Sequence, residues 1–447
     1  MGSVAVRGHQ RIVGAIYGRS APVASGVVAE VFQAPKGTRD ILPPESDRWQ
    51  ALVAVFAEVF GRAGYGLVQN PMFEEIGVFQ RLGEGTEVVR KEMYDFFDKG
   101  DRHMALRPEG TASVVRAFNQ HRPTVPWKVW YLTPCFRYEE PQAGRFRQHH
   151  QVGAEAIGSA DPDLDVEVIA LQHDFYRSLG LSRLSLRLNS MGSPGDRQAY
   201  AGQLAAWLGQ RLGELDGADQ ANAVDHPLRV LDSKRERTMA AVADAPLITD
   251  SLSEDAAAHF ERVQAGLGAL GVAYEIDPRL VRGLDYYTHT TWEFAAGALT
   301  SAQNAVGGGG RYDGLAESLG GKPAPGVGFG AGIERILLAA DAEGALAEAK
   351  PTVDVFVVDV TGGDAGRDLT FELRRSGISA DRAFDARSMK AQMKVADRSG
   401  ARLALLVGED ELASGTVTLR DLRSAGGQVA LARADVVDEV AARLSEG

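Results

Sequence analysis

The sequence predicts an α+β protein: a domain built on an antiparallel sheet, interrupted by a helical insertion and followed by a small α/β domain. Short runs rich in Tyr, Phe, Val and Trp cluster at 128–137 and 147–157 instead of alternating strictly with helices, as is typical of antiparallel sheets. Ala, Gln, Leu and Glu dominate between about 191 and 270, and the residue composition changes again near Lys350. These three observations predict the fold class.

Organised sequence begins at Ala34. Residues 1–33 contain no acid before Glu30, so a targeting segment, a disordered tail and an upstream start codon all remain open; we expect an extension without fixed structure. A helix capped by Ser46 should follow, because apolar residues recur at helical spacing: Trp49, Leu52, Val53, Phe56, Val59 and Phe60.

We predict two domains, at 34–348 and 351–447, with the helical insertion at about 191–270. The run from Tyr200 to Leu215 predicts a helix within the insertion. In the second domain strand-like and helix-like runs alternate, which predicts an α/β arrangement: Val353 to Val360, Asp364 to Ser376 and Leu403 to Val407.

The composition is that of a soluble globular protein, with 45% hydrophobic and 24% charged residues. No apolar run approaches the roughly 20 residues of a membrane helix, which excludes a membrane-spanning class. The single cysteine, Cys135, excludes an internal disulfide and a Cys-rich zinc site. It also favours a reducing compartment, and we expect a cytoplasmic location and no structural metal site.

The net charge of −12 argues against a nucleic-acid partner for the chain as a whole. Local charge differs, because six basic residues and only two acids lie between Arg382 and Arg402. This cluster is either a solvated helix face or a local contact to nucleic acid.

Arg137, Glu139 and Arg145 lie in or beside a loop between two predicted strands. A guanidinium fork can hold a phosphate, and a glutamate can accept from an adenine amino group. A surface hairpin with salt bridges is the alternative.

Glu109 lies beside Gly110 and Thr111. A carboxylate suits a positively charged α-amino group, and glycine permits close backbone approach. A helix N-terminus capped by Thr111 is the alternative.

The segment 280–288 carries Arg282, Asp285, Tyr286 and Tyr287. Phenol groups can read ligand nitrogens, and a guanidinium can stabilise developing negative charge. Paired tyrosines are also common as half-buried strand residues.

Two glycine-rich stretches follow, at 306–315 and 325–338. Neither is a Walker A loop or a Rossmann fingerprint. Glycines on a strand leave a flat floor for a nucleotide, and Arg335 on the adjoining helix could stack on adenine or bind phosphates. A glycine-weakened edge strand is the alternative.

In this order the stretches resemble histidyl-tRNA synthetases, which are class IIa aminoacyl-tRNA synthetases, over nearly all of residues 34–447. The similar segments are the helix 46–63 with Pro71 (motif 1), 127–157 (motif 2), 326–338 (motif 3), and 280–288 and 308–315, which resemble the two histidine-specific motifs. The resemblance implies a class II catalytic domain at 34–348 and an anticodon-binding domain at 351–447.

The resemblance also implies the chemistry: ATP-dependent activation of L-histidine and its transfer to the histidine tRNA. Arg137 and Arg335 would hold the ATP phosphates with Mg²⁺, Glu139 would bind adenine, and Arg282 would contact the α-phosphate. The residues around histidine would be Glu109, Gly110, Thr111, Gln151, Glu155 and a tyrosine of the pair Tyr286 and Tyr287.

For the tRNA, the resemblance implies acceptor-stem contacts from Gln142 and Arg145 and anticodon-side contacts from Arg387, Lys390 and Lys394. It further implies a homodimer. The main alternative is the non-catalytic, synthetase-like regulatory partner of ATP phosphoribosyltransferase. That protein lacks the anticodon domain and the ATP-binding positions, whereas both are present here.

Three positions depart from the family pattern. His149 stands where Phe is usual, Phe146 where Tyr is common, and His289 where Gly is frequent. The last puts the backbone after the tyrosine pair in question.

Overall fold

The computed structural model describes residues 31–81, 91–231, 233–281, 284–299, 304–346, 353–385, 387–424 and 427–445. Nearly all of the predicted extension 1–33 and Arg282 lie outside these ranges. No helix in the described ranges combines the length and the apolar character needed to cross a membrane.

The first domain contains an eight-stranded sheet. Its strands are β1 (Gly66–Leu67), β5 (Trp127–Phe136), β6 (Gln148–Ile157), β7 (Leu184–Ser190), β8 (Glu275–Ile276), β9 (Thr288–Ala296), β10 (Ala305–Arg311) and β11 (Gly326–Gly332). Their order is β1-β5-β6-β11-β10-β9-β7-β8. The pairs are antiparallel except for the outer pairs β1–β5 and β7–β8, so the prediction of an antiparallel α+β domain is confirmed.

One face of this sheet packs on long helices. These are α1 (Glu45–Arg62), α4 (Pro162–Ser178), α10 (Glu254–Ala269) and α12 (Ile333–Glu343). The predicted apolar positions Trp49, Leu52, Phe56 and Phe60 are buried in this core. The predicted Ser46 cap is wrong, because α1 begins at Glu45 after Pro44 and the carbonyls of residues 42 and 44 accept from the first amides.

A second, three-stranded sheet and three further helices lie near the start and the end of the first domain. They are β2 (Phe73–Glu75), β3 (Asp95–Phe97), β4 (His103–Leu106), α2 (Gly77–Gln80), α3 (Thr111–His121) and α11 (Leu315–Ser318). The strands are ordered β2-β4-β3.

The segment between β7 and β8 is helical, as its composition predicts. Besides α10 it contains α5 (Pro194–Gly209), α6 (Gly217–Gln220), α7 (Asn222–Asp225), α8 (Pro227–Val230) and α9 (Glu236–Ala241). Helix α5 ends at Gly209 and only a 3₁₀ turn follows at Leu212–Glu214, so the predicted helix to Leu215 is too long. A separate apolar cluster around Tyr200 and Leu204 holds these helices together.

The C-terminal part is a mixed α/β sheet in the order β13-β12-β14-β15-β16. Its strands and helices are β12 (Val355–Asp359), α13 (Asp364–Arg375), β13 (Ala380–Arg382), α14 (Met389–Arg398), β14 (Leu403–Val407), α15 (Glu409–Ser414), β15 (Thr416–Asp421), β16 (Gln428–Ala432) and α16 (Val436–Ser445). Strand β12 pairs in parallel with β13 and β14, and every residue of β12 and β14 is buried, which explains the continuous apolar runs of these two strands.

A buried ion pair joins β10 to α4. The Arg311 guanidinium donates to both carboxylate oxygens of Asp165, the shortest contact being 2.6 Å from Nη2 to Oδ2, and neither side chain is exposed. Burial raises the pKa of Asp165, but hydrogen bonding from His259 and the Arg311 charge outweigh it, so the pKa lies below its usual value. Arg311, at the end of the glycine-rich stretch, therefore has a structural role.

We expect Asp165→Asn to lower the free energy of unfolding by about 3–5 kcal/mol, because it removes the buried counter-ion of Arg311 and leaves the partly exposed Asp313, 3.2 Å away, as the remaining acidic partner. Urea denaturation measures the change. Asp163→Asn is the matched control, since Asp163 lies on the same helix in an exposed pair with Arg262 and should cost about 0–1 kcal/mol. Equal costs for the two variants would contradict the prediction.

Candidate active site

The open face of the large sheet carries a strip of glycines bordered by polar side chains. Opposed residues point to the same side of a sheet, and the register aligns Glu155 with Gly328 of β11 and Gly310 of β10. The alternating residues of β11, such as Phe329, point into the core. The alternation of small and apolar residues along β11 thus gives the sheet one flat, open face and one face that packs on the helices.

Glu155 is the most enclosed acid on this face, with no exposed surface. Thr111 Oγ1 donates to its Oε1 at 2.7 Å, and the Tyr312 hydroxyl donates to its Oε2 at 2.6 Å. The Tyr131 hydroxyl lies 3.4 Å from Oε1. Burial raises the pKa of Glu155 to about 8, although these hydroxyls lower it, and the charge of Glu109 raises it further.

Glycines make room for the Glu155 carboxylate and its partners. A Cβ on Gly328 would lie 1.7 Å from Glu155 Oε2, and one on Gly110 would lie 2.5 Å from the Tyr131 ring. The space at Gly110 is therefore filled by Tyr131, a residue that the sequence analysis missed. The strand register indicates this role of Tyr131, because Tyr131 lies opposite Gly153 of β6, where the missing side chain leaves room for its ring.

Glu109 accepts at the start of α3, 2.8 Å from the Thr111 amide and 2.7 Å from the Ala112 amide. The helix terminus is thus satisfied by Glu109 and not by Thr111, whose hydroxyl faces Glu155. Burial raises the pKa of Glu109, whereas the two amides and the Arg137 charge lower it. Two buried acids within electrostatic reach of each other favour a cationic ligand.

The tyrosine pair lies beside these acids. The Tyr286 ring is 4.6 Å from the Tyr287 ring and 6.0 Å, edge to face, from the Tyr312 ring. Burial, with the charges of Tyr287, Glu109 and Glu155, raises the pKa of Tyr286. The Tyr286 phenol is therefore protonated and can donate.

Gln151 lies on the same face of β6 as Glu155, opposite Gly332 of β11. Its Oε1 is 3.5 Å from Cys135 Sγ. Burial raises the pKa of the Cys135 thiol to about 12, so Cys135 is not a nucleophile here.

The arginines of the loop and of α12 meet at one end of the strip. Arg137 Nε donates to the Pro108 carbonyl at 2.9 Å, and Arg145 Nη1 lies 3.3 Å from Glu139 Oε2. Burial and the nearby Arg145 charge lower the pKa of Arg335, whereas Glu293 raises it. Gathered like charges of this kind favour an anion such as a phosphate.

His149, which departs from the family pattern, is neutral. Burial, with the charges of Arg137 and His150, lowers its pKa to about 3. A neutral imidazole is an aromatic ring without net charge, so the replacement of Phe adds no charge at this position. His289 has φ +46°, a left-handed backbone that glycine adopts most easily, which agrees with the glycine that is frequent at this position in the family.

The predicted tRNA-contacting residues are distributed over two regions. Gln142 and Arg145 close a turn through paired backbone hydrogen bonds of 3.1 and 2.9 Å. Lys390 and Lys394 are exposed four residues apart on α14, and Arg387 lies just before it, 3.3 Å from Asp385. In the described residues no group of three or more His, Cys, Asp or Glu side chains is arranged to hold a metal ion.

Sequence comparison decides the family. The family model for histidyl-tRNA synthetase matches residues 37–336, and the model for the anticodon-binding domain matches 354–443. The chain belongs to the histidyl-tRNA synthetase family. A histidine–tRNA ligase of Moorella thermoacetica is 49% identical over 90% of this chain and 96% of its own length. Another, from Corynebacterium kroppenstedtii, is 49% identical over 93% and 98%.

Structural comparison agrees with this assignment to the synthetase family. The crystal structure of ligand-free Staphylococcus aureus histidyl-tRNA synthetase superimposes with a TM-score of 0.78. It is 35% identical and covers 92% of this chain and 100% of its own. The α+β fold with a C-terminal anticodon-binding domain is therefore confirmed.

Proposed function

We propose that this protein activates L-histidine with ATP and transfers it to the histidine tRNA. The observation that carries this proposal is Glu155, a buried carboxyl surrounded by hydroxyl groups at the edge of a glycine floor. A site that pairs both ring nitrogens of histidine leaves polar groups unsatisfied with an apolar competitor, and such rejection reaches about 10⁴–10⁵-fold. Glu155 would bind one nitrogen and a tyrosine of the pair the other.

The amino-acid backbone would lie nearer to Glu109, Thr111 and Gln151. Glu109 supplies a buried negative charge for the α-amino group, while Thr111 and Gln151 supply neutral polar atoms. Gly110 contributes indirectly in this scheme, because it allows Tyr131 to reach Glu155.

ATP would bind across the glycine strip with its phosphates at Arg137 and Arg335 and its adenine at Glu139. The histidine carboxylate then attacks the α-phosphorus, and pyrophosphate leaves. Positioning and charge stabilisation suffice for this step. From the family resemblance we assign Arg282 to the α-phosphate, and Mg²⁺ would arrive on the ATP phosphates, where Glu293 is a candidate ligand.

In the second step a terminal ribose hydroxyl of the tRNA attacks the carbonyl of the adenylate, and AMP leaves. We propose acceptor-stem contacts from Gln142 and Arg145, domain boundaries at 34–348 and 351–447, and a cytoplasmic location.

Histidine-dependent ATP–pyrophosphate exchange, measured together with charging of histidine tRNA, tests the function. We expect exchange with histidine alone among the amino acids, and charging when tRNA is added. A folded protein that binds histidine without exchange would instead be a non-catalytic regulator.

The anticodon side of the tRNA would contact the exposed stripe on α14. We expect the double variant Lys390→Glu, Lys394→Glu to raise the KM for tRNA by about tenfold or more. The slope of the logarithm of tRNA affinity against the logarithm of salt concentration should become shallower, by the equivalent of about two neutralised phosphates. Pyrophosphate exchange should not change. Arg375→Glu, an exposed basic residue on α13, is the control. A loss of exchange, or an equal effect of the control, would count against this contact.

We propose a homodimer formed through the three-stranded sheet. Phe73 and Phe96 are exposed on one face of this sheet with their rings 6.1 Å apart, beside Met72 and Pro71, and exposed apolar surface of this kind marks an association site. Sedimentation should give a dimer for the protein and a monomer for the double variant Phe73→Glu, Phe96→Glu. Val429→Glu, an exposed apolar position on β16, is the control and should remain dimeric. A monomeric parent protein would overturn the proposal.

A further inference from the structure

The segment 284–287, which carries the tyrosine pair, belongs to no strand. Tyr286 contacts Tyr312, whose hydroxyl donates to Glu155. A Cβ on Gly310 would lie 2.6 Å from the Tyr287 ring, so this ring packs on the glycine strip. The position of the segment therefore sets one wall of the histidine site.

Two arginines of the helical insertion hold the residue just before the tyrosine pair. Arg197 on α5 donates to the backbone carbonyl of Asp285, and its Nη2 lies 3.5 Å from Asp285 Oδ1. Arg229 on α8 donates to Asp285 Oδ2 at 3.3 Å. Burial lowers the pKa of Arg197, and the Asp285 charge opposes this, as expected for a partly desolvated ion pair. We call these three residues the clamp.

The insertion also holds the other end of the tyrosine pair. The His289 amide donates to the Gly192 carbonyl at 2.7 Å, and the Met191 amide donates to the His289 carbonyl at 2.6 Å. Arg197 follows closely in the chain. A capping box between Ser193 and Asp196 fixes the start of α5. Residues 191–197 thus contact the chain on both sides of the tyrosine pair, at Asp285 before it and at His289 after it.

The clamp does not belong to the hydrophobic core. Its three residues line a cavity of about 540 Å³ between the insertion and the catalytic sheet, together with Tyr286. Removing a guanidinium here opens no void in packed apolar surroundings, so the cost to stability should be small. The clamp instead fixes the position of the backbone at Asp285, directly before the tyrosine pair.

We propose that Arg197 and Arg229 are positioning residues, which hold Asp285 so that the tyrosine pair meets the histidine side chain. The helical insertion then sets the affinity for histidine, although none of its residues needs to touch the amino acid. This inference rests on the proposed function. It predicts a larger effect on the KM for histidine than on the KM for ATP, because the clamp is linked to the tyrosine pair and not to Arg137 or Arg335. Arg282, which we assign to the α-phosphate, lies three residues before Asp285 in the sequence, so a lower kcat is also expected.

Pyrophosphate exchange with histidine and ATP varied separately tests the clamp. We expect Arg197→Gln and Arg229→Gln each to raise the KM for histidine by about ten- to a hundredfold, since small misplacements cost up to about a hundredfold. The KM for ATP should stay within about twofold. Arg229→Lys, which keeps the charge, should recover part of the loss. Combining Arg229→Gln with Asp285→Asn should cost less than the product of the single effects.

Arg237→Gln is the matched control. Arg237 also lies in the insertion and binds backbone carbonyls, those of residues 213 and 214, but it does not touch the clamp. We expect no change in either KM. Unchanged histidine KM in the double variant Arg197→Gln, Arg229→Gln would overturn the clamp, as would parallel losses for histidine and ATP with a lowered melting temperature. Absence of exchange in the parent protein would instead overturn the proposed function.

Discussion

Replacing Glu155 with glutamine is expected to lower kcat/KM for histidine in pyrophosphate exchange by about 10²–10³-fold. Glutamine cannot take the charged form that Glu155 would adopt against the bound imidazole, and removal of one buried charged partner costs about 2–5 kcal/mol. The exchange of one oxygen for an NH₂ group keeps the size. Thr111 and Tyr312 donate to different oxygens of Glu155, so one of the two hydroxyls can still donate to the remaining carbonyl and the other can accept from the NH₂ group. The KM for ATP should change little. Steady-state exchange with each substrate varied separately measures both effects.

Glu167→Gln is the matched control. Glu167 on α4 also accepts from a tyrosine, with the Tyr65 hydroxyl 2.9 Å from Oε1, but it lies on the helix-packed side of the sheet. This variant should keep normal exchange. If Glu155→Gln binds histidine as tightly as the parent protein, Glu155 does not read the imidazole.

The raised pKa of Glu155 adds a pH dependence to the ligand-free protein. The carboxyl titrates near its ordinary value of 4.5 when unfolded and at about 8 when folded, because burial disfavours the charged form. The fold therefore favours the protonated group, and the resulting stability is full below about pH 4.5 and lost as the pH rises through about 8. Urea denaturation should show the parent losing stability relative to Glu155→Gln over this range. A constant difference would contradict the raised pKa.

Replacing Arg335 with glutamine is expected to lower kcat/KM for ATP by about 10²–10³-fold, while histidine binding measured by calorimetry persists. The reason is electrostatic. Arg335 lies close to the Arg145 charge and is partly shielded from solvent. An anion bound there gains more electrostatic stabilisation than it would in water. Loss of one such donor typically costs about two to three orders of magnitude in rate.

Asp341→Asn is the control for the helix. Asp341 lies on α12 like Arg335, and it pairs with Arg48 of α1 away from the strip. Its removal should leave the KM for ATP unchanged. If the two variants impair ATP use equally, α12 acts through its packing and Arg335 has no separate role.

Elements in which one physical signal dominates are predictable from the sequence. Strand β14 was predicted with its observed bounds, because a buried parallel strand needs a continuous apolar run. The cap at Ser46 was wrong, because backbone carbonyls of the preceding turn compete with side chains for the first amides of α1. The helix predicted to Leu215 was too long, because composition indicates helix without marking its end.

By itself the sequence determined the family, the fold class and the residue types of the candidate site, since the order of the motifs is specific even where each is weak. Only the tertiary structure revealed that Tyr131 fills the space at Gly110, that Glu155 is enclosed enough to keep its proton near neutral pH, and that Asp285 is held by Arg197 and Arg229. These are contacts between residues distant in the chain. Their energies depend on burial and distance, which residue order does not specify.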